Sequence, residues 1–407
     1  MFNQKILKFK KAEEICKECG ICSTIIQCPG EGICIGCGAC YWACPSRVFH
    51  KNSEFSKEEI NITINNRQIK IPKEITIKQA LIRAGFTFTK DPSIEGIFAP
   101  CETGGCYACA VIVDGNLKPA CHSGFKDGTK IKTELPKNVE PLRIVHGFQP
   151  HSVGGVGTPW ELKAKHGYIE VACFAAGCNF RCPTCQNYIT TYNSKIPPIT
   201  PFQAAERLTK VRHIYNVHRM AVSGGEPTLN RKWLVRFFRH LKGLNTDLKA
   251  RLHLDTNASI LTRDYIDELI EAGITDIGPD LKSHDNEIFS KIININDIEL
   301  VKLYMERSWS AVKYISDKYY PEDVFMGVGL PYNKYFYSNF DQVHEWGIKL
   351  SKINPEIQVC VLDYRPIFRN NEISRPSIDE MIKVKSTLEG AGLKKVIVQT
   401  VNGHIGT

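Results

Sequence analysis

Residues Cys178-Asn-Phe-Arg-Cys182-Pro-Thr-Cys185 form a C-x3-C-x2-C run directly after the apolar stretch Tyr168-Ile-Glu-Val-Ala-Cys-Phe174. Three thiolates crowded into eight residues can hold three irons of a cubane and leave the fourth iron without a protein ligand. An iron left open in this way can bind a substrate directly. Thiolates at short spacing also suit Zn²⁺, but no further Cys or His follows nearby to close a tetrahedral site.

Two more cysteine groups precede it. Cys34-x2-Cys37-x2-Cys40-x3-Cys44-Pro45 has the bacterial ferredoxin spacing, and Cys16-x2-Cys19-x2-Cys22-x5-Cys28-Pro29 is a looser version of it. Eight cysteines suffice for two [4Fe–4S] clusters, with a zinc ribbon as the alternative for one of them. Further on, Cys101-x4-Cys106-x2-Cys109 has the plant-type [2Fe–2S] spacing on a Gly-containing loop, and Cys121 is available as the fourth ligand. The chain has 17 cysteines among 407 residues, and their clustering is that of metal sites in a reducing compartment rather than a disulfide framework. Cys173 and Cys360 stand outside the groups, in apolar strands, and read as core. The first residues lack a signal-peptide core and no run of eighteen apolar residues occurs, so a cytoplasmic protein with no membrane partner is expected. The formal charge is +9, from 52 basic and 43 acidic residues. Thiolate-bound clusters would add on the order of −7, and the basic residues form no dense patch, which argues against a nucleic-acid partner.

The elements that must position these cysteines fall into segments. Residues 1–50 form a ferredoxin-type 4Fe-4S segment. In residues 58–135, alternating Ile60, Ile62, Ile64, the turn Asn65-Asn66, then Ile69 and Ile71, and a helix over 76–84 predict a β-hairpin and helix. That is the opening of a β-grasp [2Fe–2S] domain. Residues 136–160, with Val153-Gly-Gly-Val-Gly-Thr-Pro159, have a linker's composition. In 161–407, strands and helices alternate from Tyr168 to Gln399, which predicts an α/β fold, a partial (β/α)6 barrel with its chemistry at the C-terminal ends of the strands.

The motifs at those ends resemble the radical S-adenosylmethionine (SAM) superfamily. The resemblance implies that Cys178, Cys182 and Cys185 hold a catalytic [4Fe–4S] cluster whose open iron is chelated by SAM. It implies also that Gly224, Gly225 and Glu226 of Val222-Ser-Gly-Gly-Glu-Pro227 hold the methionine amino group. Asp255-Thr256-Asn257 and Asp280-Leu281-Lys282 look like the motifs of glycyl radical activating enzymes, typified by pyruvate formate-lyase activating enzyme. From that likeness, Asp255, Thr256 and Asp280 would hold a monovalent cation beside SAM, and Lys282 would face its carboxylate. Ala258 replaces the family's glycine, and Thr184 stands where an aromatic residue usually precedes the last cysteine. Val328 to Pro331 could form an adenine platform, and Tyr364, Arg365 and Arg369 could meet substrate. The N-terminal runs resemble two-cluster ferredoxins, which implies Cys16, Cys19, Cys22 and Cys44 on one cluster and Cys28, Cys34, Cys37 and Cys40 on the other. The third group resembles the iron–sulfur subunit of succinate dehydrogenase.

The expected activity is reductive cleavage of SAM to a 5′-deoxyadenosyl radical for hydrogen abstraction. Electrons would come from a low-potential donor such as ferredoxin or flavodoxin and pass through the accessory clusters. The activase likeness implies a glycyl radical enzyme as partner. The alternatives are another peptide, a small molecule, or an electron-transfer protein that no longer cleaves SAM.

Overall fold

The computed structural model describes residues 4–56, 58–164 and 167–406. The chain divides into two units: one takes residues up to His146 with Ala175–Asn179 and Asn187–Thr200, the other Gly147–Phe174, Phe180–Gln186 and the chain from Pro201.

In the first unit, β1 (Lys5–Lys11) pairs antiparallel with β2 (Phe49–Phe55) and brackets the eight N-terminal cysteines. Between these strands the same short device occurs twice. Cys19-Gly20-Ile21-Cys22 and Cys37-Gly38-Ala39-Cys40 each enter a one-turn helix, Ile21–Ile25 and Ala39–Ala43, through a glycine at φ +70° or +77°. Glycine takes this left-handed conformation without the Cβ penalty, so each cysteine pair sits on one tight turn.

The expected hairpin follows as β3 (Glu59–Ile64) and β4 (Arg67–Pro72), with Asn65 and Asn66 both at positive φ as its tight turn demands. Helix Ile77–Arg83 begins with a capping box between Thr76 and Gln79. After the two-residue strands β5 (Phe88–Thr89) and β6 (Ile97–Phe98) come β7 (Ala110–Val113), β8 (Asn116–Pro119) and β9 (Lys130–Lys132), giving a sheet of order β4-β3-β9-β7-β8. Ile62, Ile64, Ile71, Ile77, Leu81 and Val111 fill its core, each such side chain contributing about 1.5–3 kcal/mol on burial.

The larger sheet runs in sequence order from β10 (Val145–His151) through β11 (Glu170–Ala175), β12 (Arg219–Gly224), β13 (Arg251–Thr256), β14 (Asp276–Pro279), β15 (Phe325–Tyr332), β16 (Gln358–Asp363) and β17 (Lys395–Thr400) to β18 (Gly403–Ile405). Strands β12 to β17 pair in parallel. Helices Pro201–Tyr215, Arg231–Leu244, Arg263–Glu271, Ile298–Lys318, Phe340–Ser351 and Ile378–Gly390 separate consecutive strands from β11 onward, which makes the six βα units of a partial barrel. Their starts are legible: Asn230, Asp297, Asn339 and Ser377 each accept a backbone N–H of the first turn. Helix Asn286–Ile293, capped by Asp285, was not expected from the sequence, although Ile288, Phe289, Ile292 and Ile293 give it a buried stripe.

Residues 136–160 are not a connector here. Val145–His151 is a strand of the large sheet, and the glycines beyond it serve close packing rather than freedom. Val156 N–H donates to Asp255 at 3.1 Å, and a Cβ placed on Gly157 would lie 2.5 Å from the Ile277 carbonyl carbon and 2.7 Å from His253 Nε2. A Cβ on Gly327 would lie 2.5 Å from the Val156 carbonyl oxygen. The segment 155–158 is threaded against β13, β14 and β15. Gly157→Ala is therefore expected to destabilise the protein by about 1–3 kcal/mol through overpacking. Gly243→Ala, in a helix with nothing within 4 Å of the new methyl, should be neutral or stabilise by up to about 1 kcal/mol. Thermal unfolding of the two variants checks this, and equal effects would contradict the packing.

Candidate active site

Glu226 follows the end of β12 and is wholly buried. Its carboxylate accepts the Thr228 N–H at 3.1 Å, the Thr228 hydroxyl at 2.6 Å, the Thr256 hydroxyl at 2.7 Å and the Asn257 N–H at 2.6 Å. It thereby ties the end of β12 to the end of β13. Burial pushes its carboxyl up, against these donors. Gly224, at φ +115°, makes the turn that brings it there. Asn257 accepts from Ser259 N–H and hydroxyl, and Ala258 is held at φ +55°.

Asp280 and Lys282 stand beyond β14. Lys282 Nζ lies 3.1 Å from Asp280 Oδ2. Burial opposes the lysine charge, but Asp280, then Tyr364 and Cys182, hold the ammonium well above its usual range. Burial in turn pushes the Cys182 thiol up to about 12, with Lys282 pulling the other way. The cluster loop is fixed on both sides: Arg181 N–H donates to the Ile293 carbonyl at 2.9 Å, and Arg369 N–H to the Pro183 carbonyl at 3.0 Å. Thr184 is buried. Cys182 and Cys185 belong to the second unit and Cys178 to the first.

The residues expected around a cation are engaged within the protein. Asp255 accepts from Val156 and pairs with His253, Thr256 donates to Glu226, and Asp280 pairs with Lys282. Cβ atoms on Gly155 and Gly329 would lie 2.1 Å and 2.3 Å from the Asp255 and Asp280 carboxylates, so both are pressed against main chain.

In the first unit Cys101, Cys106, Cys109 and Cys121 are all buried, with Cys106 Sγ 3.1 Å from Cys101 Sγ. Hydrogen bonds from the Cys106 and Cys121 thiols hold Cys101 well below the usual range, while burial pushes Cys106 up. Four buried cysteine sulfurs on this loop are a donor set suited to an iron centre. Among the N-terminal sulfurs, Cys37 and Cys40 feel Cys28 and Cys34, whereas Cys22 feels Cys44 and Cys19. Lys8, buried on β1, donates to the Cys34 carbonyl and to Glu74, and Arg83 donates to the Lys5 carbonyl at 2.7 Å, which fastens the cysteine runs to the β-grasp sheet.

Residues 173–335 match the radical SAM superfamily, residues 57–136 a 2Fe-2S iron-sulfur cluster binding domain, and residues 30–50 a 4Fe-4S binding domain. The chain carries a radical SAM domain. A probable GTP 3′,8-cyclase of Methanococcus aeolicus is 32% identical over 135 residues, 33% of this chain and 43% of that protein. A GTP 3′,8-cyclase of Rhodopseudomonas palustris is 32% identical over 127 residues, 30% of this chain and 36% of that protein. The chain thus spans less than half the length of these relatives. Among solved structures, Streptococcus suis SuiB bound to S-adenosylmethionine overlaps 52% of this chain and 44% of that chain, with a TM-score of 0.39 and 15% identity. The cofactors are [4Fe–4S], [2Fe–2S] and SAM. Among the described residues no helix is long and apolar enough to cross a membrane.

Within the second unit, sequence reading missed a buried charge network. Glu170 on β11 lies 3.1 Å from both His151 Nδ1 and His253 Nδ1, His253 Nε2 lies 3.2 Å from Asp255, and Arg219 bridges to Asp276 at 2.7 Å. Burial disfavours the His253 cation, but Asp255 and Glu170 outweigh it and raise its pKa to about 9. Because the folded value exceeds the ordinary 6.5, the stabilisation is complete below pH 6.5 and is lost as pH rises through about 9. On the order of 3 kcal/mol is at stake. Thermal unfolding of the holoprotein should therefore weaken between pH 6.5 and 9, and His253→Gln should be less stable at pH 6.5 with a flatter profile. An unchanged slope in that variant would contradict the charge state.

Proposed function

We propose that this radical SAM enzyme abstracts hydrogen from an anionic small molecule, with electrons drawn from a ferredoxin or flavodoxin through its own accessory clusters. The observation that carries the reading is the buried Lys282 ammonium, paired with the half-buried Asp280 and feeling the charges of Tyr364 and Cys182, next to the strand ends where Glu226 joins β12 to β13. When bound, the site cluster supplies the electron that splits SAM into methionine and a 5′-deoxyadenosyl radical. Cys178, Cys182 and Cys185 would hold it, Lys282 would offer its ammonium to the SAM carboxylate, and the Gly224-Gly225 backbone would meet the amino group. Glu226 positions that backbone through its ties to Thr256 and Asn257.

The small-molecule class is favoured by the names of the relatives, GTP 3′,8-cyclases, and by Arg365 and Arg369 after β16. Arg369 is anchored to the cluster loop through Pro183, and its guanidinium lies over the Phe368 ring. A second reading, activation of a glycyl radical enzyme, rests on the Asp255-Thr256-Asn257 and Asp280-Leu281-Lys282 motifs alone.

Reduced holoenzyme is expected to form 5′-deoxyadenosine faster when GTP is added, and Cys182→Ala should abolish its formation while keeping the [2Fe–2S] spectrum. Arg365→Ala should raise KM for the anionic substrate by about tenfold or more with a smaller change in kcat. SAM cleavage that survives Cys182→Ala would overturn the site. Acceleration by a glycyl radical enzyme and by no anionic small molecule would favour the second reading.

A further inference from the structure

Three main-chain segments of the first unit meet at one point. Ile144 N–H donates to the Gly105 carbonyl at 3.1 Å, and Ala176 N–H donates to the Ile144 carbonyl at 2.9 Å. A hydrogen-bonded backbone path therefore runs from Cys106 and Gly105 through Ile144 to Ala176, Gly177 and Cys178. It is braced by Arg143, fully buried, whose Nη2 donates to the Ala176 carbonyl at 3.1 Å, and by Gly177 N–H, which donates to the Thr191 carbonyl at 2.8 Å.

The two cysteine loops also touch directly. A Cβ on Gly105 would lie 2.7 Å from Ala176 Cβ and 2.8 Å from Gly177 N. A Cβ on Gly177 would lie 2.8 Å from Cys106 N and 3.1 Å from Cys101 Cβ. Real Cβ atoms do not approach main chain so closely, so the absence of a side chain at both positions is what lets the [2Fe–2S] loop rest on the residue before Cys178. At the other side of that loop, His122 follows Cys121 and its Nε2 lies 2.8 Å from the carbonyl of Gln27, the neighbour of Cys28.

We propose that the electron reaches the site cluster across this junction, from the [2Fe–2S] site through Cys106, Gly105 and Gly177 to Cys178, with the N-terminal centres upstream by way of His122. The inference rests on the relay reading above and gives it an order. One electron crosses: the [2Fe–2S] site is oxidised by one electron, the site cluster is reduced by one, no atom is transferred, and a low-potential one-electron donor protein restores the former by way of the N-terminal centres.

The test uses full-length, anaerobically reconstituted protein reduced with dithionite, with spin relaxation of the [2Fe–2S] signal read by EPR power saturation. Relaxation should be fastest in the wild type, slower in Cys178→Ala, where only the N-terminal centres still speed it, and intermediate in Gly105→Ala that retains its iron and sulfide. Unchanged relaxation in Cys178→Ala would overturn the junction. If Gly105→Ala fails to hold its [2Fe–2S] cluster, the comparison of wild type with Cys178→Ala decides alone. The relay reading is tested separately by Cys109→Ala, which should lose SAM cleavage driven by reduced ferredoxin. Cleavage retained there would sink the relay itself, whereas cleavage lost there with unchanged relaxation in Cys178→Ala would sink only the order proposed.

Discussion

Main chain can lie against main chain only where no Cβ intervenes, and this protein uses that constraint in both of its units. In the first, Gly105 and Gly177 let two metal-binding loops share a surface. In the second, Gly155 and Gly157 let an extended segment enter among β13, β14 and β15, where Gly278, Gly327 and Gly329 leave room for it. Substituting a methyl at these places removes no contact that a side chain makes. It forces backbones apart, and the residues that depend on their spacing, Cys106 in one case and Asp255 and His253 in the other, move with them.

The buried charges follow from the same arrangement. Once residues 155–158 occupy the space beside β13, the Asp255 carboxylate is met by the Val156 N–H and by His253, and Glu170 is met by the Gly155 N–H and two histidines. Buried ions persist only when paired and hydrogen-bonded. Each carboxylate here has such partners, and the Arg219–Asp276 bridge extends the set. The residues expected to hold a cation are thereby drawn into structural pairings.

Much of this was legible in the sequence because it is local. Cysteine spacing, the Asn65-Asn66 turn, the capping residues and the alternation of strands and helices each depend on residues within a few positions of one another. What stayed hidden depends on tertiary distance. Val153-Gly-Gly-Val-Gly has the same composition whether its glycines confer freedom or permit packing, so the segment read as a linker. Glu170 and His253 are 83 positions apart and each looks like an isolated polar residue within a strand. The strand Val145–His151 carries Gly147 and Pro150, which mask its pattern. The four donors around Glu226 could not be read from Gly-Gly-Glu-Pro, since two of them come from the end of β13.

The proposed relay takes electrons from the accessory cysteine sites to the site held by Cys178, Cys182 and Cys185. It is tested most directly by counting product in the absence of any external donor. Holoenzyme is fully reduced, stripped of reductant, and mixed with excess SAM, and 5′-deoxyadenosine is measured against the amount of site cluster. Stored electrons that reach the site give more 5′-deoxyadenosine than there are site clusters. A yield that stops at one per site cluster, with the accessory centres still reduced, would contradict the account.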